Sequence, residues 1–452
     1  MDDFSKYSDW IEFYNPTASP INLIGFYLSD NPDSLKKWMI PTCIVPAFGF
    51  KTLWCTGVND TNGNNLHTNF SIDTEGETIF FSDSGGSVVD NIASIPLVPD
   101  KTYGRLPDGA AFAYLSFPTY RATNNTAIIV NGIITEAPTF DIPGGFYTID
   151  QNISLSHSDP TVEIHYTLVG SDPIETSPIF STPINVHSRA GEANYYSMIR
   201  TCYNVHFYLP DWNPPPLEVY KCNVVRARAI KSGYFSGPIQ TYTYFIDPAI
   251  FSRYGNLPVV SLVSDPKNLF NDTTGIYVPG INYVPNTYQA NYYLDWDRTA
   301  NIEMYMPGGL QAFNGNYKIS INGQSSPSSP QKGLNVTSSK DYGPSKIDYP
   351  VFKNTPGKAK FINKFDKVKL RAWGSDRGKA LFRDGFCAKL FEKTDLDIEA
   401  YQLCVVFVDG EYWGLHEMRE RNRNGEYYAS HYLIDKKNPG YDILDGAGNT
   451  VI

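Results

Sequence analysis

Short runs of alternating apolar and polar residues, each ended by turn residues, fill the first part of this chain. Between residues 9 and 116 these runs include DWIEFYN, INLIGFYLSD, FKTLWCTG, GETIFFSD and GSVVDNI. A period of two places alternate side chains on one face of a strand, so each run can bury that face only within a sheet. Short strands separated by frequent turns are typical of an antiparallel β-sandwich. The sequence therefore predicts a β-sandwich over residues 1–118.

Length and charge limit the remaining possibilities. A chain of 452 residues is expected to hold about three domains, because single hydrophobic cores rarely grow beyond about 250 residues. Residues 1–247 carry 13 Lys and Arg against 25 Asp and Glu, whereas residues 248–452 carry 24 against 22. Only the second part suits an anionic ligand. Its net positive charge is too small for a surface that binds nucleic acid. We expect no nucleic-acid partner.

No segment of the sequence is typical of a membrane span or a metal site. No apolar run approaches the roughly 18 residues that a span needs, and the acidic start MDDFSKYSDW does not resemble a signal peptide. We therefore expect either a cytoplasmic protein or one whose leader is missing from this sequence. The six cysteines form no CxxC pair, so we expect no metal site. Cys202 and Cys222 either form a disulfide or are two buried thiols.

A second β-rich stretch, residues 136–247, follows a polar joint. Its alternating runs VEIHYTL, VRARA and QTYTYF predict a second β-sandwich. Residues 185–222 interrupt this pattern with many Tyr, Trp and Pro residues and predict an insertion. The aromatic side chains of this insertion either stack on sugar rings or pack over the edge of the sandwich.

The third region, residues 257–452, is predicted to be α+β. The unbroken apolar run at 257–263 predicts a buried strand. Asp409-Gly410 predicts a tight hairpin between strands at 402–408 and 411–418. Helices are predicted at 379–392 and 426–434. The first should pack against a sheet through an apolar stripe of Leu381, Phe386, Cys387, Leu390 and Phe391.

Glycine at position 385 weakens the first predicted helix by up to about 1 kcal/mol relative to alanine. Such a residue inside a helix is explained when another group approaches the backbone closely. We therefore expect a close contact at Gly385.

Residues 319–336, ISINGQSSPSSPQKGLNV, form a strand, a loop of small residues and a second strand. Ile319, Ile321, Leu334 and Val336 alternate with polar neighbours on either side of the loop. The loop residues would expose N–H groups and hydroxyls, and Lys332 would add a positive charge. These loop residues are Gly323, Ser325, Ser326, Ser328 and Ser329. This pattern predicts a nucleotide-phosphate site, with a solvated turn as the alternative.

The first two regions resemble known modules. Residues 1–118 resemble a lamin tail domain, an immunoglobulin-like sandwich, in the strings DWIE, YNP, LSD, HTNF, GET and YGR. Residues 136–247 resemble the fibronectin-like C-terminal sandwich of chitobiase-type hexosaminidases in APTF, GFY, VEIHYTL and GSDP. These resemblances imply two binding or docking modules, and they bring no catalytic residues.

Residues 257–452 resemble the N-terminal part of the CotH kinase family, whose members are atypical protein kinases. The resemblance lies in ISING, SS and PQK between 319 and 332, VKLR at 368–371, RD at 383–384, DGEYWGL at 409–415 and EMRER at 417–421. It implies that Lys332 holds the phosphates of ATP, that Glu420 faces this lysine, and that Ser326 covers the phosphates beside Gly323 and Ser325. It also implies Mg²⁺ as a cofactor. The expected architecture is thus multidomain and mostly β, with two β-sandwiches before an incomplete α+β kinase-like domain.

The family's catalytic and metal-binding acids lie further downstream, so we expect none of them within this chain. The acids that remain after Glu420 are Glu426, Asp435, Asp442 and Asp445. Purely structural roles compete with the proposed ones. Glu420 with Arg419 and Arg421 can form a salt-bridged hairpin end, Arg383 and Asp384 a bridging pair, and Trp413 part of the core.

Two functions remain. The first is an extracellular or envelope-associated kinase that uses ATP and Mg²⁺ to phosphorylate Ser or Thr of a protein substrate. This chain would be a fragment or degenerate form that binds nucleotide without transferring phosphate. The second is a non-catalytic adhesion or scaffold protein that binds protein or glycan partners at the cell surface.

Overall fold

The computed structural model describes residues 2, 8–62, 65–73, 75–97, 99–203, 211–340, 342–352, 362–376, 379–394, 396–421 and 425–435. These residues are mostly β, which confirms the predicted fold class. The chain divides into two compact units. One comprises residues 1–135 with 231–236, and the other comprises 136–230 with 237–452.

The first unit is built from short antiparallel strands. They are β1 (Asp9–Tyr14), β2 (Ile21–Asn22), β3 (Tyr27–Ser29), β4 (Trp38–Met39), β5 (Ile44–Val45), β6 (Phe50–Cys55), β7 (Ile79–Ser82), β8 (Val88–Ile92), β9 (Thr102–Arg105), β10 (Phe112–Leu115) and β11 (Ile129–Val130). The sheets are β1-β6, β2-β5, β4-β3-β7-β8 and β11-β10-β9. Leu28, Trp38 and Ile79 of the four-stranded sheet pack with Ile11 and Leu53 of the β1-β6 pair. Two sheets therefore enclose one core, as in a sandwich.

The second unit begins with another two-layered β structure. Its strands are β12 (Thr139–Phe140), β13 (Gly145–Tyr147), β14 (Gln151–Ile153), β15 (Leu155–Ser156), β16 (Glu163–Thr167), β17 (Ile184–Val186), β18 (Asn223–Ile230) and β19 (Ile239–Ile246). One layer is the sheet β13-β19-β18-β16, and the pairs β12-β15 and β14-β17 complete the structure. Ile153 and Val186 pack on Val225 and Tyr244, so the core lies between the layers.

A closed barrel of seven strands forms the rest of the second unit, in the order β20-β21-β22-β23-β26-β28-β27. The strands are β20 (Val259–Val263), β21 (Arg298–Tyr305), β22 (Gln311–Asn322), β23 (Gly333–Thr337), β24 (Ile347–Asp348), β25 (Lys364–Phe365), β26 (Lys367–Arg371), β27 (Tyr401–Val408) and β28 (Glu411–Glu420). The helices are α1 (Ile250–Tyr254), α2 (Pro266–Phe270), α3 (Arg383–Phe391) and α4 (Gly425–Tyr432). Strands β24 and β25 form a separate pair.

Local predictions in this unit are confirmed. Every residue of β20 is buried, as the apolar run at 257–263 predicts. Asp409 and Gly410 have φ angles of 46° and 86° and join β27 to β28. Positive φ at both central residues is what a two-residue turn requires to match the twist of its strands.

The prediction that α3 packs on the barrel sheet through an apolar stripe is wrong, because the contact is made at Gly385. Phe386, Cys387, Leu390 and Phe391 are exposed, and Gly385 is the buried residue of this helix. The barrel strands already fill their own apolar interior, and the outer face near α3 carries charged side chains. An apolar helical stripe therefore has no apolar surface to cover there.

The close contact expected at Gly385 is present. A methyl group at this position would lie 2.9 Å from Glu417 Oε1 and 2.9 Å from the ring of Tyr401. We therefore expect Gly385→Ala to lower the free energy of unfolding by about 1–3 kcal/mol in urea denaturation, although alanine favours helix. Cys387→Ala, an exposed change in the same helix, should stay within about 0.5 kcal/mol. Equal or higher stability of Gly385→Ala would contradict this packing.

Cys202 and Cys222 are both buried. Cys222 is a free thiol, so of the two alternatives the disulfide between these residues is wrong. None of the helices in the described part of the chain is long and apolar enough to cross a membrane.

Candidate functional site

The predicted hairpin at 319–336 is present. Ile319 pairs with Val336 and Ile321 with Leu334, so the alternating residues occupy adjacent positions of β22 and β23. In the connecting loop, Gly323 has a φ of 120°, and a side chain there would collide with Ser326 Oγ. Residues Ser326–Ser328 form a 3₁₀ turn. The small residues of the loop are therefore required by its own folding.

The side chain of Lys332 lies inside this loop and stabilises it through hydrogen bonds. Its side chain is 0% exposed, and Nζ donates to the carbonyls of Pro327 at 2.5 Å and Ser329 at 3.0 Å. The amine also lies 4.1 Å from the ring centre of Tyr292, a favourable cation–π contact. Ser329 is itself buried, as is Ser328. The expectation that this part of the loop exposes its hydroxyls is wrong, because the loop packs inward around the lysine.

Glu420 lies at the end of β28 and pairs with a histidine. Its Oε1 is 2.8 Å from His431 Nε2 on α4, and the His431 ring stacks on Tyr427. Glu420 Oε2 has no hydrogen-bond partner among the described residues, and Glu420 lines a cavity of about 10 Å³. That volume suits about one water molecule. The alternative in which Glu420 forms a salt-bridged hairpin end with Arg419 and Arg421 is therefore wrong, because the observed partner of Glu420 is His431.

The structure does not bring Lys332 and Glu420 together. Glu420 is opposite Val368, which is opposite Val336, four residues beyond Lys332 and two strands away. With about 3.3 Å per residue and about 4.8 Å between strands, their backbones are on the order of 15 Å apart. A role for Lys332, Glu420, Ser325, Ser326 and Gly323 in binding nucleotide stays a prediction.

A different lysine lies in a charged environment on the outside of the barrel. Val368 and Leu370 point into the barrel core, so Lys369 between them points outward. Lys369 Nζ is 2.6 Å from Glu399 Oε1. Arg419 is opposite Lys369 on β28, and its Nε donates to Glu417 Oε2 at 2.8 Å. These four residues, Lys369, Glu399, Glu417 and Arg419, are called the charged cluster below.

The charged cluster has an unfilled hydrogen-bonding capacity. Arg419 is 6% exposed, and its Nη2 has no hydrogen-bond partner among the described residues. A buried donor without a partner costs about 1–3 kcal/mol, so an anionic ligand at this position would be favoured. Burial lowers the pKa of Lys369, and the charge of Glu399 acts against that shift. The Lys369 side chain is 17% exposed, so it is not fully enclosed by the protein.

Two family models match parts of the second compact unit. The model of the family described as CotH kinase protein matches residues 319–447, which include the end of β22, the connecting loop, β23 and the whole charged cluster. The chain contains a CotH kinase domain. A second model, described as Chitobiase/beta-hexosaminidase C-terminal domain, matches residues 142–196. No curated protein matches the chain. The resemblance of residues 1–118 to lamin tail domains stays a prediction.

The remaining acids of the CotH kinase domain have structural partners where the structure describes them. Glu426 pairs with Lys346 at 2.9 Å, and Asp384 pairs with Arg371. Arg383 pairs with Asp376 at 3.1 Å, so Arg383 and Asp384 each form an ion pair with a different residue. Trp413 fills the core as predicted. Asp442 and Asp445 lie outside the described residues.

The motif VKLR at 368–371 is part of the resemblance to the CotH kinase family, but no function was predicted for Lys369. The signal was available, because a lysine between two apolar strand residues must project away from the core. What the sequence does not contain is the identity of its neighbours. Glu399 comes from the segment after α3, and Arg419 from β28.

Proposed function

We propose that the CotH kinase domain binds the phosphates of ATP at the charged cluster, as part of a protein kinase that modifies Ser or Thr. The observation that supports this most is the ion pair of Lys369 and Glu399. Lys369 lies on β26, which pairs with β23 of the loop hairpin, and Glu399 lies just before β27. In protein kinases a glycine-containing loop covers the phosphates, and a strand lysine steadied by glutamate contacts them. The loop at Gly323, Lys369 and Glu399 follow one another in that order along this chain.

The donors of the cluster fit phosphate oxygens. The Lys369 amine and the Nη2 of Arg419 are cationic donors, which form the stronger class of hydrogen bonds to anions.

The described residues offer no comparable site for Mg²⁺. Among the described residues, no group of three or more His, Cys, Asp or Glu side chains is placed to hold a metal ion. We therefore assign no residue of this chain to Mg²⁺ and no step to the metal.

A protein substrate and a location outside the cytoplasm belong to the same proposal. Their support is the module type beside the kinase domain, since residues 142–196 match the C-terminal domain of chitobiase and β-hexosaminidase. Sandwich modules of this kind suit docking to a surface or to a large substrate.

Replacement of Lys369 by methionine tests the site. Methionine keeps most of the buried stem and removes the charge, so we expect ATP affinity of the chain to fall by about ten- to a hundredfold in isothermal titration calorimetry. This corresponds to the loss of one or two charge-assisted hydrogen bonds. Loss of the ion pair with Glu399 should also lower the midpoint of urea unfolding, so circular dichroism must show that the variant is folded at the temperature of the titration.

Lys267→Met is the matched control, because Lys267 is also ion-paired, to Asp265 at 3.3 Å, but is exposed on α2. It should bind ATP as the unmodified chain does. Absence of ATP binding by the unmodified chain, or equal affinity of Lys369→Met in a folded state, would rule out the charged cluster as the nucleotide site.

A further inference from the structure

A cleft of about 330 Å³ lies between the insertion of the second sandwich and the barrel, within one compact unit. Its lining includes Ser197, Trp212, Asn213, Gln331, Tyr412 and Trp413. This volume falls within the range of small-ligand sites, about 300–1,000 Å³. The cleft is separate from the charged cluster, with which it shares no lining residue.

The walls of the cleft are held in place by hydrogen bonds that cross it. Buried Glu411, at the start of β28, accepts from the backbone N–H groups of Tyr195 at 2.6 Å and Ser197 at 2.8 Å. On the other side, Thr201 Oγ1 donates to the carbonyl of Pro330 at 2.7 Å. The indole N–H of Trp413 donates to Tyr277 at 2.9 Å. The site is therefore pre-formed, which reduces the entropy lost when a ligand binds.

The hydroxyl of Ser197 is available for a hydrogen bond with a ligand. The residue is 9% exposed, and its hydroxyl has no hydrogen-bond partner among the described residues. A buried hydroxyl without a partner costs about 1–3 kcal/mol, and a ligand hydroxyl in the cleft would satisfy it. The backbone N–H of Ser197 donates to Glu411 Oε2 at 2.8 Å, so the position of this residue in the cleft wall is fixed.

The lining defines the chemistry of the ligand. None of the described side chains that line the cleft is ionised at neutral pH, which disfavours a charged ligand. Trp212, Tyr412 and Trp413 offer aromatic faces, while Ser197 and Asn213 offer neutral groups that both donate and accept. A pyranose ring has the matching surfaces, a face of C–H bonds and a rim of hydroxyls. A proline-rich peptide would use the aromatic rings, but it lacks N–H or O–H donors for the neutral polar groups.

We propose that this cleft binds a neutral pyranose unit of a glycan, with the sugar face on Trp212 and a sugar hydroxyl on Ser197. The cation of Arg200 lies 5.2 Å from the Trp212 ring and holds this side chain in place. The CotH kinase domain and the sandwich insertion thus form a glycan site together.

Calorimetric titration of the chain with cellobiose, maltose, N,N′-diacetylchitobiose and decaproline tests this assignment. We expect saturable binding of at least one of the neutral disaccharides and none of decaproline. Trp212→Ala should weaken that binding at least about tenfold, and Ser197→Ala about three- to tenfold. Lack of binding by all three disaccharides, unchanged affinity in both variants, or binding of decaproline would overturn the proposal.

Leu217→Ala serves as the matched control, because this exposed residue belongs to the same insertion but does not line the cleft. Its affinity for the disaccharide should equal that of the unmodified chain. Lys369→Met should also leave saccharide binding unchanged. The glycan site and the nucleotide site can therefore fail independently of each other.

Discussion

Lys332→Ala is expected to lower the free energy of unfolding by about 3–5 kcal/mol. The substitution leaves a cavity where the lysine stem was, and large-to-small changes at buried positions cost about 2–5 kcal/mol. It also removes the donor that holds the carbonyls of Pro327 and Ser329. Relief of the burial of a charged amine acts in the opposite direction and keeps the total from being larger.

Urea unfolding followed by circular dichroism measures this effect. Lys267→Ala is the control, since this lysine is exposed and should change stability by no more than about 0.5 kcal/mol. The expected pattern is a large loss of stability for Lys332→Ala alone. A variant as stable as the unmodified chain, but with weakened ATP binding, would instead support the phosphate role predicted from the sequence.

Stability of the second unit is expected to fall as the pH rises from about 5 to about 8. Burial raises the pKa of Glu303 on β21 to about 8, although Tyr305 donates to its Oε1 at 2.6 Å. Burial likewise raises the pKa of Asp409 to about 8. Each carboxyl keeps its proton in the folded state at pH values where the unfolded chain has lost it. The stability that these two carboxyls contribute is therefore fully present below their pKa in the unfolded chain, which is near 4.5 for Glu303. It is lost as the pH rises to about 8.

Glu303→Gln separates this effect from other titrations. The amide stays neutral at every pH, so at pH 8 the variant should be more stable than the unmodified chain, by up to about 4 kcal/mol. Its free energy of unfolding should also depend less on pH. Glu163→Gln, at an exposed position of β16, should keep the original pH dependence. An unchanged slope in Glu303→Gln would show that this carboxyl does not hold its proton in the fold.

Local structure followed from the sequence wherever one face of an element is buried. The pairing of Ile319 with Val336 and the turn at Asp409 and Gly410 were predicted from period-two patterns and turn chemistry. Such signals involve residues that are close in sequence. They identify a strand and its buried face without specifying the neighbour on each side.

Closure of the barrel could not be predicted in this way. The parallel pairing of β20 with β27 joins Val259 to Val405, and nothing in either run specifies the other. The error over α3 has the same origin. Its apolar side chains predicted an apolar contact with a sheet, but the outer face of the barrel at this place carries the charged cluster and is approached through Gly385.

The surroundings of Lys332 and Lys369 also depend on residues that are distant in the sequence. A lysine in a Ser- and Pro-rich loop is expected to be exposed, because lysine is almost never fully buried without partners. Lys332 is buried because Tyr292, forty residues earlier, supplies an aromatic ring beside its amine. The outward projection of Lys369 could be predicted from VKLR, whereas its contact with Glu399 depends on the fold around α3.

An acyl-phosphate derivative of ATP shows directly which lysine lies beside the bound phosphates, because it transfers its acyl group to an amine within reach. Mass spectrometry of the labelled chain is expected to find the acyl group on Lys369, and excess ATP should prevent this labelling. Lys332 should stay unlabelled in the folded chain. Labelling of Lys332 that ATP prevents, or labelling of Lys369 that ATP does not affect, would contradict nucleotide binding at the charged cluster.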